Sequence, residues 1–591
     1  MHKRFVTAFT ALAAAALLSL AGPARVAHAF AVFTVGGDAA CGYDNIQDAL
    51  DAAHDLPGED YVWIASNMSY SGQQLLVHDQ DVDIEGGFVD CSDIDIAGEQ
   101  TTISGSGNDG WAVISIDGHS NVYMSNVFIT GADRDSGASG GGIYFGGSGS
   151  LTTQFVTIGA NNAGYGGGMN VTASGGPVTV NLMHDTLIVN NTAAVSGGGI
   201  RIEGDTRLYA LADNTSFILN SAIDGYGGAL EILGGARADI ASPGYNGLAV
   251  IYGNDADSGG GIAVIGGNNA ASYLRMFTTD PLRPTRLDGN FASGRGGGAI
   301  YTDSMDYQGV ACLYDFAATN NVAEDGAAFY ADEGLGFYIN SSAGATDPNC
   351  GPEPITSLGA QACIAGAGCN DITGSMTQHA DGSPSAGGVI KIGSFSKLLG
   401  NRFRMTDNLG AWMVRADDGL TSELSNCLVA NNGVSTEVIS GINVSAMYIN
   451  SCTLANNLPD GGYVVGNDYF LSMSDSIISE PGMQAIDFTG SSDLLLVDHT
   501  LASDTSTLNG STTSLQGEPT FVDPVGRNYH LRPQSLGVDY APAAADYDLD
   551  GNTRNVDLPG FPNVYGPLDL GAYETQSLCG GADTIFCAGF D

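Results

Sequence analysis

The sequence predicts an all-β protein, a single-stranded, right-handed parallel β-helix solenoid with an N-terminal helical cap. Three observations carry that expectation. The first is a motif that runs from Asn through small polar residues to glycines and then an apolar residue. It returns as "NNAGYGGGM", "NNTAAVSGGGI", "NSAIDGYGGAL", "GNDADSGGGI", "GNFASGRGGGAI" and "NNVAEDGAAF". The apolar residues after the glycines are Ile143, Met169, Ile200, Leu230, Ile262, Ile300 and Phe329, at steps of 26 to 38 residues. Self-similarity at such a period marks a solenoid. The second is that one period, "IRIEGDTRLYALADNTSFILNSAIDGYGGAL", holds three short alternating runs bounded by turn residues, the pattern of strands rather than helices. Three short strands bury no core alone, whereas stacked coils bury one continuously. The third is composition: Gly is 85 of 591 residues while apolar residues still make up 43%, so the glycines punctuate a packed chain rather than dilute a disordered one.

The elements follow in order. Residues 1–29 read as a secretory signal peptide: a basic start, an apolar run from Phe5 to Ala21, and "AHA" before Phe30. Residues 30–130 are the N-terminal cap and first coils. Within them "NIQDALDAAHDL" puts Ile46, Ala49, Leu50 and Ala53 on one helical face. Residues 131–331 are the Asn-to-glycine coils. Asn162, Asn191, Asn220, Asn254, Asn290 and Asn321 are expected at turns, where Asn tolerates left-handed backbone and stacked amides bond along the axis. Residues 332–390 form a loop-rich insertion. A shorter period in 391–515 is marked by Asn408, Asn432 and Asn457, with steps of 24 and 25. Residues 516–576 close the solenoid, and 577–591 are a cysteine-containing tail.

Charge and cysteines restrict the function classes. Acids outnumber Lys and Arg by 65 to 19, for a net charge of −46, which excludes nucleic acid and anionic membranes as partners. No transmembrane segment is expected after signal removal, and the solenoid is expected to be a monomer. In an exported chain the cysteines form disulfides. Proximity pairs Cys41 with Cys91, Cys363 with Cys369 and Cys579 with Cys587. Cys427 and Cys452, one coil apart, form either a disulfide or an unbonded buried ladder.

The Asn-to-"GG[AG][IL]" repeat resembles those of polymorphic membrane proteins and, more broadly, of exported right-handed parallel β-helix proteins. The terminal barrel of the former has no counterpart here. "IQDALDAA" is similar to the "IQxAIxxA" cap helix of many exported β-helix proteins. "FVDPVGRNYHLRP", "DLDGNTR" and "DLGAYE" resemble, in order, the closing segment of the choice-of-anchor Q family, although the usual "SPAID" reads "SLGVDYAPAA". "DTIFCAGFD" looks like short tails of exported Gram-negative proteins. These resemblances imply a location at the outer-membrane surface of, or outside, a Gram-negative cell.

Candidate chemistry is sparse. "DYDLDGNTRNVD" offers Asp546, Asp548, Asp550, Asn552 and Asp557 at the spacing of a calcium loop, with calcium as the cofactor. The competing reading is an Asp-rich turn satisfied by its own amides and Arg554. Asp498–His499 resembles the "IDH" of pectate lyases, and Asp417–Asp418 the "DD" of polygalacturonase-type hydrolases. Without companion motifs, a structural role is expected for all four, and no catalytic residue is named. The expected function is non-enzymatic: an elongated face for adhesion, with polysaccharide or surface glycan as partner. The alternative is a polysaccharide lyase or glycoside hydrolase with acids on adjacent coils.

Overall fold

The computed structural model describes residues 30–577 except 57, 94, 97–98, 107–109, 243, 245–247, 249, 268–269, 279–282, 340–349, 351–369, 445 and 545–546. The expected signal peptide, the Cys363–Cys369 and Cys579–Cys587 pairs, and the tail beyond Ser577 lie outside the described residues.

The chain is a parallel β-helix. One coil runs Ser216–Ile218, Ser221–Tyr226, Leu230–Leu233 and Arg237–Ile240 before Ile251–Tyr252 opens the next. Each segment pairs in parallel with its counterpart one coil on. Four ladders result, numbered 1 to 4 in that order. Ladder 1 contains fifteen strands and ladder 2 nine among the described residues. Ladders 3 and 4 merge where Ile114–Ser125, Ile143–Gln154 and Met169–Leu182 run through both.

Ladder 2 occupies a stretch that the sequence presents as turn. Its inward position is Ala163, Ala193, Ala222, Ala256, Ala292 and Ala323, in register and buried. One small inward residue per strand leaves too little apolar periodicity to mark it as β. In ladder 3 the inward row is Ile143, Met169, Ile200, Leu230, Ile262, Ile300 and Phe329, all fully buried. Each such side chain stabilises by about 1.5–3 kcal/mol relative to an exposed one.

Two corners explain the repeated motif. Between ladders 1 and 2 the amides of Asn161, Asn191, Asn220, Asn254, Asn290 and Asn321 stack. From Asn161 to Asn290 each Nδ2 donates to the next Oδ1 at 3.0–3.1 Å, and Asn321 ends the run. The ladder residue in the first of these coils is Asn161, and Asn162 instead points outward toward Asp133. The left-handed residue is the one before the ladder Asn: Ala160, Asn190, Leu219, Gly253, Gly289 and Asn320 all have positive φ. That residue sets the register, so the ladder position is always the one after it. Between ladders 2 and 3, Gly197 is left-handed at φ +65°. A Cβ on Gly198 would lie 2.4 Å from the Ser221 carbonyl oxygen, and one on Gly199 would lie 2.5 Å from that of Ala229. The glycines therefore admit the neighbouring backbone.

The N-terminal end is covered by α1, Ile46–His54, with Ile46, Ala49, Leu50 and Ala53 buried and Asn45 capping Gln47 N–H. Cys41–Cys91 ties the entering loop to the first coils. At the other end, Leu508 folds into the main core. The segment after Gln516 lies along the solenoid's side. Phe521, Leu531, Leu558 and Leu570 pack on the outward residues Leu428, Ala455, Ile477 and Leu501 of ladder 1. Within 332–390, Gly336–Ile339 and Asn370–Thr373 take ladder positions. Cys350 is bonded to Cys312 on the outer face of ladder 4, beside Phe277, Tyr314 and Tyr338.

Candidate functional site

The outward row of ladder 3 runs Arg201, Glu231, Ala263, Tyr301, Tyr330, Lys391, Arg415, Ser440, Gly466 and Asp487 in unbroken register. Outward side chains on neighbouring coils stand about 4.8 Å apart, so this row is a strip along the axis. Side chains from ladder 2 and the glycine corner border it.

The strip changes character along its length. At one end Arg201 bonds Glu203 at 2.8 Å and Glu231 at 2.9 Å, beneath the Tyr165 ring. Burial raises the Glu231 carboxyl, and Arg201 opposes that shift. An aromatic section follows. Tyr226 stacks on Tyr301 at 5.7 Å, and Tyr330 meets Tyr301 edge-on at 5.7 Å. The Tyr301 hydroxyl donates toward Asp303 at 3.1 Å and Asp332 at 3.0 Å, carboxylates of adjacent coils. Arg295 reaches Asp332 at 3.2 Å. Burial, followed by these two acids, pushes the Tyr301 phenol well up, and burial raises the Asp303 carboxyl.

Next come Lys391, between Asp325 and Asp417, and Arg415, whose Nε is 3.0 Å from Asp417. The Arg415 guanidinium covers the Trp412 ring at 3.9 Å. The indole Nε1 donates to Glu437 at 2.7 Å, which fixes the ring plane. Beyond it the floor falls to Ser440 and Gly466, leaving an open hollow of about 380 Å³ bordered by Trp412, Glu437, Asp468 and Asp487. A Cβ on Gly466 would lie 3.5 Å from Glu437 Cδ. The Glu437 carboxyl therefore reaches over Gly466, whose register partner is Asp487. Acids two coils apart share one hollow.

The residues singled out in the sequence fall in different places. Asp417 belongs to the strip, while Asp418 takes a left-handed turn at φ +54°. Asp498 accepts from Thr513, and His499 lies 3.4 Å from Asp475 against the Tyr565 ring. Both are thus held in the last coils, away from the strip. Asp546 lies outside the described residues. Asp548 is buried and accepts from the N–H groups of Asn552 and Glu574. Asp550 bonds His530 at 2.6 Å, and Asp557 is exposed. The carboxylates of Asp548, Asp550 and Asp557 do not come together as one cluster of ligand atoms. Arg554 turns away to Asn426 and to the carbonyls of Asp569 and Gly571. The one such cluster among the described residues, Asp38 with Cys41 and Cys91, has its sulfurs in a disulfide.

Cys427 and Cys452 are bonded across adjacent coils. Sequence reasoning missed Cys312–Cys350 and nearly all of the strip. Tyr301, Tyr330, Arg415 and Asp487 occupy one row only after coils of unequal length are aligned by pairing, although each follows an inward residue of the repeat by one position. No protein-family model matches this chain, and no curated protein matches it.

Proposed function

We propose that this is an exported or cell-surface β-helix protein that binds a polysaccharide along the outward row of ladder 3, without cleaving it. The observation that carries the reading is the partly exposed rings along the strip, flanked by carboxylates: Tyr226 and Tyr330, held on the buried Tyr301, then Trp412 beside an open hollow. With one side of its ring held under Arg415, Trp412 presents its remaining surface to the hollow for the C–H side of a sugar, and the flanking acids accept from sugar hydroxyls. The spacing of coils repeats along the groove as sugar units do along a chain. An acidic wall favours a neutral or amino-sugar polymer over a polyuronate. Kinship with the polymorphic membrane proteins and the choice-of-anchor Q family, and with it a Gram-negative surface location, rests on the repeat and closing motifs. Among the described residues no helix is long and apolar enough to cross a membrane.

A second reading has its own support. Glu437 and Asp487, brought into one hollow across Gly466, have the residue types of a hydrolase acid–base pair.

A panel of polysaccharides scored for both retention and cleavage separates the two. Binding is expected without release of oligosaccharides, and Trp412→Ala is expected to weaken retention about tenfold or more, as loss of a stacked aromatic does. Oligosaccharide release abolished by Glu437→Gln would establish the hydrolase instead. Within 546–557, Asp548 and Asp550 instead serve to close the fold, through the N–H groups of Asn552 and Glu574 and through His530. Calorimetric titration with calcium is expected to show no binding to that loop.

A further inference from the structure

Lysine is nearly absent from this chain: Lys3, Lys391 and Lys397 are the only three. Lys391 lies in the strip, between Tyr330 and Arg415 in the ladder register. Its side chain is only 11% exposed. Its Nζ hydrogen-bonds Oδ2 of Asp417 in the following coil and lies 3.8 Å from Oδ2 of Asp325 in the preceding one. Neither carboxyl is free to swing away. Asp325 Oδ1 accepts from Gly388 N–H at 2.8 Å and Gly326 N–H at 3.0 Å. Arg415 Nε donates to both oxygens of Asp417, at 3.0 and 3.1 Å, and its guanidinium is held in turn on the Trp412 ring. An amine thus stays in contact with one fixed carboxyl, a second carboxyl is within reach of its protons, and bulk water is largely excluded.

Those are the reactants of an amide, held where intramolecular reactions reach effective concentrations of ~10⁵ M or more. We propose that Lys391 and Asp417 condense to an intramolecular isopeptide bond, with Asp325 as the proton relay. The Lys391 ammonium gives a proton to the Asp325 carboxylate, and the freed lone pair attacks Cγ of Asp417. Arg415 holds the charge that develops on the carboxyl oxygens at that stage. The Nζ–Cγ bond forms as one Cγ–O bond breaks. The two protons that nitrogen loses leave on that oxygen as water, and Asp325 returns to its starting state. No oxidant, reductant or cofactor is needed. The product ties Gly388–Ile392 covalently to Trp412–Asp417, in the coils that follow the insertion after Ile339.

Intact-mass measurement of the purified chain with its disulfides reduced tests this directly. The expected mass is lower by one water than that calculated from the purified chain's own N-terminal residue onward, and digestion is expected to yield a branched peptide joining Lys391 to Asp417. Lys391→Arg, which keeps the charge and removes the nucleophile, and Asp325→Asn are each expected to restore the full mass. Full mass in the unaltered chain, with Lys391 open to acetylation after denaturation, overturns the proposal. So does a branch to Asp325, or a bond that still forms in the Asp325→Asn variant. Loss of water without a branched peptide, as in a succinimide, also overturns it.

Discussion

At the corner between ladders 1 and 2, two adjacent residues divide the work that the sequence pattern assigns to one Asn. The first bends the backbone into the left-handed region, and the second supplies the buried amide. "NN" fits both roles, and its recurrence made the corner visible. Ala160 and Leu219 hide it, because nothing about them announces a left-handed turn. The division predicts opposite outcomes for neighbouring substitutions. Leu219 is half-exposed at φ +54°, a conformation that costs a non-glycine residue about 1–2 kcal/mol. Leu219→Asn is therefore expected to raise stability by about 0.5–1 kcal/mol. Asn254 accepts from Asn220 and donates to Phe217 O and Asn290 Oδ1. Asn254→Ala strands these partners in the core and is expected to cost about 3 kcal/mol. Urea unfolding of both variants reads the two signs.

Among the elements, the segment after Gln516 shows why its motifs read so clearly while their purpose did not. Asp548 in "DLDGNTR" stands at the spacing of a cation ligand, yet it accepts backbone amides, as Asp569 and Glu574 of "DLGAYE" do. Asp569 takes the N–H groups of Asp539 and Thr575, Glu574 takes those of Val556 and Asp569, and Asp548 takes that of Glu574. Acceptors for buried amides and ligands for calcium are the same oxygens, so residue type alone does not separate them. Arg554 then fastens the segment to Asn426 of the solenoid. Arg554→Met, which keeps the stem but removes the donors, is expected to leave the coils folded while exposing residues near 540–575 to faster hydrogen exchange. Equal protection in the variant would contradict that role. The helix α1 was fully legible, since its amphipathic spacing is local. The Cys312–Cys350 bond was not, because its partners come from a ladder and from an insertion that carries no period.

At the scale of the whole molecule, stacked coils bring together acids that the sequence keeps apart, and several are buried in the process. Burial is the first cause in each case: it pushes Asp83, Asp315 and Glu574 up to about 7 and Asp569 to about 6. The folded chain therefore holds protons that the unfolded chain, with carboxyls near 4, has released. The stability tied to these protons is complete below pH ~4 and is lost as the pH rises through ~6–7, and the net charge of −46 adds repulsion in the same direction. The thermal midpoint is expected to be several degrees lower at pH 8 than at pH 5, measured by calorimetry at constant ionic strength. A midpoint that rises over that interval would contradict it. The solenoid class was legible because repetition multiplies a weak local signal. The strip on ladder 3 was not, because outward residues are free to vary from coil to coil. The amide stack has one more property. Within each run an Asn donates toward the following coil; the first run ends at Asn321, whose Nδ2 donates back to Leu287 O, and the later one where Asn457 gives its backbone N–H and an Nδ2 hydrogen to Glu480. The structure therefore has a direction of growth. Within each run, a completed turn leaves donors that the next turn satisfies, so the last coil laid down favours the addition of another in one direction only. The Glu480 carboxyl, accepting in place of a further Asn, closes the later run.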